Sequence, residues 1–163
     1  MAESNLKISY IVPDFDENAY SGGLYVIFEH CNGLARRGHK VTLFNDTGIK
    51  SKLLKLDCDL VRHNNDPALL EKSVPDILVS THWRTYFFIQ KMKNILKDNT
   101  HLFSLVQSDD RSLIGREEWP LYNRAVTGLY RDALPIHKMA VSVYLQTMLK
   151  TTFGQDSLYI KNG

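Results

Sequence analysis

The chain has 163 residues, of which 44% are hydrophobic and 23% charged. This is the size and composition of one globular domain, and it excludes a disordered or fibrous chain. Lys and Arg total 20 against 18 Asp and Glu, and a net charge of +2 is too small and too dispersed to indicate a nucleic-acid binder. No apolar run approaches the ~20 residues of a membrane span, and the polar N-terminus lacks a signal-peptide pattern. Cys31 and Cys58 have no C-x-x-C spacing, and a reducing cytosol is the natural compartment for such a chain. Together these features predict a soluble, cytoplasmic chain with a single domain over 1–163.

Strand-like and helix-like patterns alternate along the chain. Apolar residues at helical spacing between Leu24 and Ala35 predict the first helix, and Gly38 and Gly154 are placed to end two helices. In chain order the patterns predict a strand at 7–12, a helix at 24–37, strands at 39–44 and 59–62, a short helix at 67–72, a strand at 76–80, a helix at 83–97, a strand at 101–106, a loop at 107–120, a helix at 121–131, a strand at 136–141, a helix at 143–152 and a strand at 158–160.

This alternation predicts parallel strands joined by crossover helices. Short apolar strands fit a sheet that is covered on both faces. The sequence therefore predicts a doubly wound, Rossmann-like α/β fold with a parallel sheet of about six or seven strands. Ligands bind such sheets at the carboxyl ends of the strands, where the strand order reverses, so we expect the site in the loops after Val12, Ser80 and Val106.

The loop after the first strand ends in Ser21-Gly22-Gly23 and runs into the first helix. Glycines allow a ligand to approach the backbone closely, and a helix N-terminus favours an anion. The segment matches neither G-x-G-x-x-G nor a P-loop. A flexible turn with a glycine cap is the alternative interpretation.

Asp14 and Asp16 form a D-x-D triplet at the end of the first strand. Paired carboxylates at that position could hold a divalent cation, or act as in the nucleophile loop of a phosphatase. Asn18 stands where that loop would have Thr, and Pro13 interrupts the strand just before it. A solvated acidic loop is the alternative.

His82 directly follows the strand at 76–80 and is the best placed of the six histidines. A neutral imidazole at the ligand-binding edge can donate a hydrogen bond to a sugar hydroxyl or to a developing oxyanion. The alternative is a histidine that only caps the following helix.

Polar residues also follow the strand at 101–106. Gln107, Asp109 and Arg111 could bind a polyhydroxylated ligand, or belong to an ordinary hydrophilic loop. The polar side of the helix at 83–97 is basic and is expected to include Tyr86 and Phe87. This predicts either peripheral membrane contact or, more simply, a solvated face.

Five segments, in this order, resemble one known group of proteins. They are the strand at 7–12 (KISYIV) with its loop ending in SGG at 21–23, the segment 33–41 (GLARRGHKV), which is similar to L-A-x-x-G-H-x-V, the segment 75–82 (PDILVSTH), similar to P-D-hydrophobic…H, the segment 106–109 (VQSD), similar to V-Q-D, and VS at 141–142 with YIKNG at 159–163, similar to V-S…I-x-N-G. Together they resemble the N-terminal half of GT-B-fold glycosyltransferases, in the large retaining group that includes glycogen synthases and bacterial mannosyl- and rhamnosyltransferases.

The resemblance implies transfer of a sugar from a nucleotide-sugar donor to a glycan or other hydroxyl acceptor, with retention at the anomeric carbon and no metal or cofactor. It implies that Gly22 and Gly23 approach the donor diphosphate and that His82 contacts the transferred sugar. The acceptor side would be formed by the loops after the strands, with the residues Tyr20, Gln107, Asp109 and Arg111. Ser108 separates Gln107 from Asp109, whereas the similar stretch has the two adjacent.

Members of that group have a second Rossmann-like domain that grips the nucleotide, and these 163 residues do not include one. The resemblance therefore implies an isolated N-terminal domain that is inactive alone and has the missing C-terminal domain as its partner. Two other functions stay open at this point. One is a stand-alone carbohydrate- or nucleotide-binding module, and the other is a phosphatase-like protein that uses Asp14 and Asp16.

Overall fold

Residues 5–71, 74–92, 95–96, 99–112, 114–131 and 135–161 are described by the structure, a computed structural model. Their strands are β1 (Lys7–Ile11), β2 (Lys40–Asn45), β3 (Asp59–Arg62), β4 (Ile77–Ser80), β5 (His101–Val106), β6 (Ile136–Ala140) and β7 (Leu158–Tyr159). Within the described residues they form one seven-stranded sheet in the order β3-β2-β1-β4-β5-β6-β7. Every neighbouring pair is parallel, and the strand order reverses between β1 and β4.

Helices cover both faces of this sheet. They are α1 (Gly22–Arg36), α2 (Ala68–Glu71), α3 (Tyr86–Met92), α4 (Trp119–Tyr130) and α5 (Val143–Phe153), with 3₁₀ helices at Trp83–Thr85 and Asp110–Ser112. Leu78 of β4 packs in the cluster with α3 and α4, whereas the next residue, Val79, packs in the cluster with α1. Successive strand residues point to opposite faces, so each strand is buried on both sides. The predicted doubly wound α/β fold is confirmed.

The predicted start of α4 is wrong. The loop predicted at 107–120 includes Pro120, but this residue lies in the first turn of α4, which begins at Trp119. The first turn tolerates proline because its N–H groups have no partner within the helix. Most other boundaries differ from the prediction by one or two residues.

The segment at 83–97 also differs from the prediction of one continuous helix. The 3₁₀ helix Trp83–Thr85 comes first, and α3 is described only as far as Met92. Tyr86 is buried rather than on the polar side, because its ring occupies space that Gly128 of α4 leaves open. The segment expected to present a basic face also contains Lys93 and Lys97, which lie outside the described residues. None of the described helices is long and apolar enough to cross a membrane.

Cys31 and Cys58 lie side by side although they are distant in sequence. Both are free, and their thiols share a hydrogen bond. That hydrogen bond, together with burial, raises the pKa of Cys31. Asn32 holds the neighbouring loop to α1, because its amide accepts from the backbone N–H of Asp57 at 2.7 Å and donates to the carbonyl of Lys55 at 3.0 Å.

Candidate functional site at the switch point of the sheet

The loops after β1, β4 and β5 meet in one cavity of about 240 Å³. We call it the switch-point cavity; it is lined by residues 12–15, Ala19, Ser21, Gly23, Leu24, Ile27, Thr81, His82, Gln107 and Ser108. The sequence predicted a ligand site in these three loops. They meet here because parallel strands present their carboxyl ends at one edge of the sheet.

The N-terminus of α1 opens onto this cavity. Ser21 caps the helix: its Oγ accepts from the N–H of Leu24 at 3.1 Å, and its carbonyl accepts from the N–H of Tyr25 at 3.0 Å. In the described part of the chain, the N–H groups of Gly22 and Gly23 have no hydrogen-bond acceptor. Two free N–H groups and the positive end of the helix dipole make this end of the cavity favourable for an anion.

Gly23 lies against the side chain of Gln107. A Cβ added at Gly23 would lie 3.5 Å from the Gln107 amide nitrogen, whereas a Cβ at Gly22 would meet nothing within 4 Å. The approach to the helix N-terminus is therefore bounded by Gln107 on the side of Gly23. Gly22 does not itself line the cavity.

His82 both caps a helix and lines the switch-point cavity. Its Nδ1 accepts a hydrogen bond from the N–H of Arg84 at 3.2 Å, at the start of the 3₁₀ helix Trp83–Thr85. An Nδ1 that accepts leaves the proton of the neutral ring on Nε2. The two interpretations of this histidine are thus compatible, since each uses a different ring nitrogen.

The surroundings of His82 favour its neutral form. Burial lowers its pKa and the charge of Arg84 acts in the same direction, while Asp110 and Glu118 oppose the shift. Nε2 lies 3.9 Å from Oδ2 of Asp110, beyond hydrogen-bond distance. The imidazole can therefore serve as a neutral donor to a ligand in the cavity.

Asp109 and Arg111 bind each other beside the cavity, and neither lines it. Nε of Arg111 donates to Oδ1 of Asp109 at 2.7 Å and Nη2 to Oδ2 at 2.5 Å, while the Tyr144 hydroxyl lies 3.4 Å from Oδ2. The hydrogen bonds from Arg111 lower the pKa of Asp109. Tyr20, another predicted acceptor residue, is 64% exposed, with its ring centroid 6.4 Å from that of Tyr25. Of the predicted site residues, Gly23, His82 and Gln107 are the ones that meet in the cavity.

Asp14 and Asp16 are engaged in separate loop contacts. Oδ1 of Asp14 accepts from both the N–H and the hydroxyl of Thr47 at 3.0 Å. Oδ1 of Asp16 accepts from the N–H of Asn18 at 2.8 Å. Within the described ranges, no group of three or more His, Cys, Asp or Glu residues is arranged to hold a metal ion. The phosphatase interpretation stays a prediction, with its two carboxylates directed to different partners.

A larger cavity, of about 370 Å³, lies on the other side of the loop after β1, and sequence reasoning missed it. We call it the His63 cavity. Its polar lining residues are Asp14, Asp46, His63, Asn65, Arg84 and Thr85. They come from the ends of β1, β2 and β3 and from the start of the helical segment after β4. The sequence around His63 gives no motif, and the asparagine pair that follows it is the one local signal that could have drawn attention to this turn.

Comparison with known proteins shows the fold and no family. No family model matches the chain, and no curated protein matches it. Among solved structures, it is similar to an alpha-glucosyltransferase in complex with UDP and a 13-mer DNA that contains an HMU base, with a TM-score of 0.54 and 13% identity. That match covers 96% of this chain but only 42% of the glucosyltransferase chain. A second alpha-glucosyltransferase structure, in complex with UDP and a 13-mer DNA that contains a central A:G mismatch, matches with a TM-score of 0.48 and 13% identity. That match covers 90% of this chain and 43% of the other chain.

Proposed function

We propose that this chain is the acceptor-side half of a retaining glycosyltransferase. It would transfer a sugar from a nucleotide sugar to a hydroxyl of a glycan or other acceptor, in polysaccharide or glycoconjugate biosynthesis in the cytoplasm. The observation that carries the proposal is that the switch-point cavity is lined both by Gly23, at the N-terminus of α1, and by His82. The fold shared with an alpha-glucosyltransferase is consistent with it.

Each side of this cavity suits one part of the proposed donor. Cleavage of the bond between the sugar and the diphosphate places negative charge on the diphosphate, and the N-terminus of α1 stabilises negative charge without a metal. The Nε2–H of His82 would donate to a hydroxyl of the transferred sugar. Because His82 is neutral, this donor keeps its proton through the transfer.

UDP-glucose is the first donor to test, because UDP is bound in the structure of the similar glucosyltransferase. The DNA of that complex is not carried over to this chain, since a net charge of +2 gives little attraction for a polyanion. A glycan acceptor without nucleic acid stays our proposal, and so does peripheral membrane contact through the surface of α3.

A second α/β domain would hold the nucleotide. The chain spans 42% of the glucosyltransferase chain that it resembles in fold, and a UDP-sugar has a nucleotide end that the switch-point cavity, at about 240 Å³, is too small to enclose. We propose that this domain belongs to the same enzyme, and that residues 1–163 fold alone but do not turn over the donor.

The test compares residues 1–163 with a longer natural protein that contains them, if one exists. UDP-glucose and other nucleotide sugars are supplied with a glycan mixture, and released nucleotide is measured. We expect cooperative unfolding but no turnover from residues 1–163, and transfer by the longer protein. Turnover by residues 1–163 alone would disprove the division into halves. Binding without turnover by every form would favour the stand-alone binding module.

A further inference from the structure

The His63 cavity shares Val12, Pro13 and Asp14 with the switch-point cavity, so the loop after β1 separates the two. Its volume of about 370 Å³ is within the range of small-molecule sites. Phe87 and Phe88 give it an apolar wall. The polar groups come from the loops after β1, β2 and β3 and from Arg84 and Thr85, just before α3. This combination of one apolar wall and a few placed polar groups is typical of a ligand site.

His63 is the side chain that distinguishes this cavity from an ordinary surface groove. It is only 6% exposed, and its ring stacks on Phe88 with centroids 4.1 Å apart and an interplanar angle of 20°. Asn64 and Asn65 adopt left-handed conformations, with φ of 46° and 56°, which turns the loop back on itself. The N–H of Asn65 then donates to Nδ1 of His63 at 2.9 Å.

These contacts fix which nitrogen of His63 is free. Because Nδ1 accepts from Asn65, the proton of the neutral ring is on Nε2. No hydrogen-bond acceptor for Nε2 is found among the residues that the structure describes. Nε2 is not one of the buried unpartnered atoms found among the described residues, so it is accessible to solvent. A side chain more than nine-tenths buried thus lines the cavity with a donor that a ligand can reach.

The charged groups of the lining favour an uncharged ligand. Asp14 and Asp46 contribute carboxylates, and Oδ1 of Asp14 is held in place by Thr47. Arg84 is already paired with Glu118 and lies 5.1 Å from the centroid of the Trp83 ring. Among the described lining residues the cavity therefore offers carboxylate acceptors and no unpaired cation, which suits hydroxyl donors and repels phosphate.

Two further cations lie near the cavity without lining it. Lys91 is close enough to act on His63, and the guanidinium of Arg124 lies 5.8 Å from the centroid of the Phe87 ring. Both belong to outer helical surfaces, where solvent and salt screen their charge. They do not alter the acidic character of the lining itself.

We propose that the His63 cavity binds an uncharged carbohydrate of one or two sugar rings, and, resting on the proposed function, that this carbohydrate is the acceptor end of a glycan. The Nε2–H of His63 donates to a ring or hydroxyl oxygen. Asp14 and Asp46 accept from neighbouring hydroxyls, and the apolar face of the sugar packs against Phe87. The bound acceptor would then lie one loop away from the donor in the switch-point cavity.

Binding is measured on residues 1–163 by NMR, without any nucleotide sugar, so that the result is independent of transfer activity. The probes are methyl glycosides of glucose, galactose, mannose, rhamnose and N-acetylglucosamine, then maltose, with glucose 6-phosphate as the anionic comparison. We expect at least one uncharged probe to shift the amide signals of residues 46–47, 63–65 and 84–88. Glucose 6-phosphate should bind at least about tenfold more weakly, which corresponds to ~1.4 kcal/mol.

Two variants test the residues. His63→Phe keeps an aromatic ring against Phe88 but removes both the Nε2–H donor and the Nδ1 acceptor of Asn65. Asp46→Asn leaves these contacts in place and changes a side chain that is 52% exposed, so it spares the fold. Each should weaken binding about fivefold to tenfold. The matched control is His101→Phe, which changes an exposed histidine at the amino end of β5 and should bind as the unchanged chain does.

Three results would overturn the proposal. They are no shift with any uncharged probe, shifts confined to residues 19–24 and 107–108 of the switch-point cavity, and equal affinity for glucose 6-phosphate. If Asp46→Asn and a folded His63→Phe variant both bind with unchanged affinity, these two residues do not belong to the site. Sugar binding at the His63 cavity in a protein that never transfers sugar would instead refute the proposed function alone.

Discussion

His82 has two ring nitrogens that can be tested separately, since Nδ1 stabilises the 3₁₀ helix Trp83–Thr85 and Nε2 is the donor left to a residue that lines the switch-point cavity. A simple alanine substitution removes both contacts and would confuse a loss of stability with a loss of rate. Amide side chains reproduce each nitrogen separately. The oxygen of Asn can replace Nδ1 as a cap acceptor, and the NH₂ of Gln reaches about as far as Nε2.

We expect His82→Asn to keep its thermal stability but to lose about a hundredfold in transfer rate in the proposed two-domain enzyme, because only the donor at Nε2 is lost. His82→Gln should show the opposite pattern: about 1 kcal/mol less stable, with most of the rate retained. Melting curves and initial rates are taken on the same preparations. Equal rates for the two variants would exclude a role of His82 in transfer.

At the scale of one element, α1 combines a capped N-terminus with two glycines in its first turn. Gly33, near the other end of α1, has open space around it, as a Cβ there would meet nothing within 4 Å. The helix therefore contains one glycine at the cavity and one remote from it, and the two can be substituted in parallel.

Gly23→Val should reduce the kcat/KM of the complete enzyme for its donor by about tenfold or more, because the valine methyl groups would fill the space between the helix N-terminus and Gln107. Gly33→Val introduces the same β-branched side chain in the same helix and controls for helix propensity. Its kcat/KM should be unchanged. A similar loss of activity in both variants would show that the effect is on α1 as a whole.

The contact between α3 and α4 depends on the absence of a side chain at Gly128. A Cβ there would lie 1.9 Å from Cζ and 2.0 Å from the hydroxyl oxygen of Tyr86, whose hydroxyl also accepts a hydrogen bond from Gln90 at 2.7 Å. Helix propensity alone would favour alanine over glycine in α4 by about 1 kcal/mol. Propensity therefore predicts that Gly128→Ala raises the free energy of unfolding, whereas packing predicts that it lowers it.

We expect packing to dominate, so that Gly128→Ala lowers the free energy of unfolding by about 1–3 kcal/mol in urea titrations. Gly33→Ala, with open space around it, should raise it by up to about 1 kcal/mol. In a Tyr86→Leu background the cost of Gly128→Ala should shrink or disappear. An unchanged cost in that background would show that Tyr86 is not the obstacle.

At the scale of the whole molecule, His30, His63 and His82 share a lowered pKa with burial as its first cause. They lie on α1, after β3 and after β4, so the effect is spread through the fold. In the unfolded chain these rings titrate near 6.5. Between that value and the lower folded pKa, the unfolded chain binds more protons than the folded one, and acid therefore favours unfolding.

The free energy of unfolding should consequently be higher at pH ~7.5 than at pH ~5, and it should decrease as the pH falls below about 6.5. Urea titrations between pH ~7.5 and ~5 measure it, above the range in which the carboxylates titrate. His63→Phe should flatten part of the slope, because it removes one of the three rings with a lowered pKa. A stability that is constant or rises toward pH ~5 would contradict the lowered pKa values.

The sequence by itself determined the alternation of strands and helices, the doubly wound fold, and the three loops that form the switch-point cavity. It could do so because the apolar pattern of each element and the edge at which parallel strands end are properties of local sequence and of the fold class. The meeting of Gly23, His82 and Gln107 follows from that edge.

Only the tertiary structure decided which side chains face one another across elements. It pairs Asp109 with Arg111 beside the cavity, brings Cys31 next to Cys58, and fits Tyr86 into the gap at Gly128. It also stacks the ring of His63 on Phe88, with no hydrogen-bond acceptor for Nε2 among the described residues. Such contacts depend on how crossover helices pack on the sheet and on how a turn such as Asn64-Asn65 folds back, and neither is encoded in the periodicity of a single element.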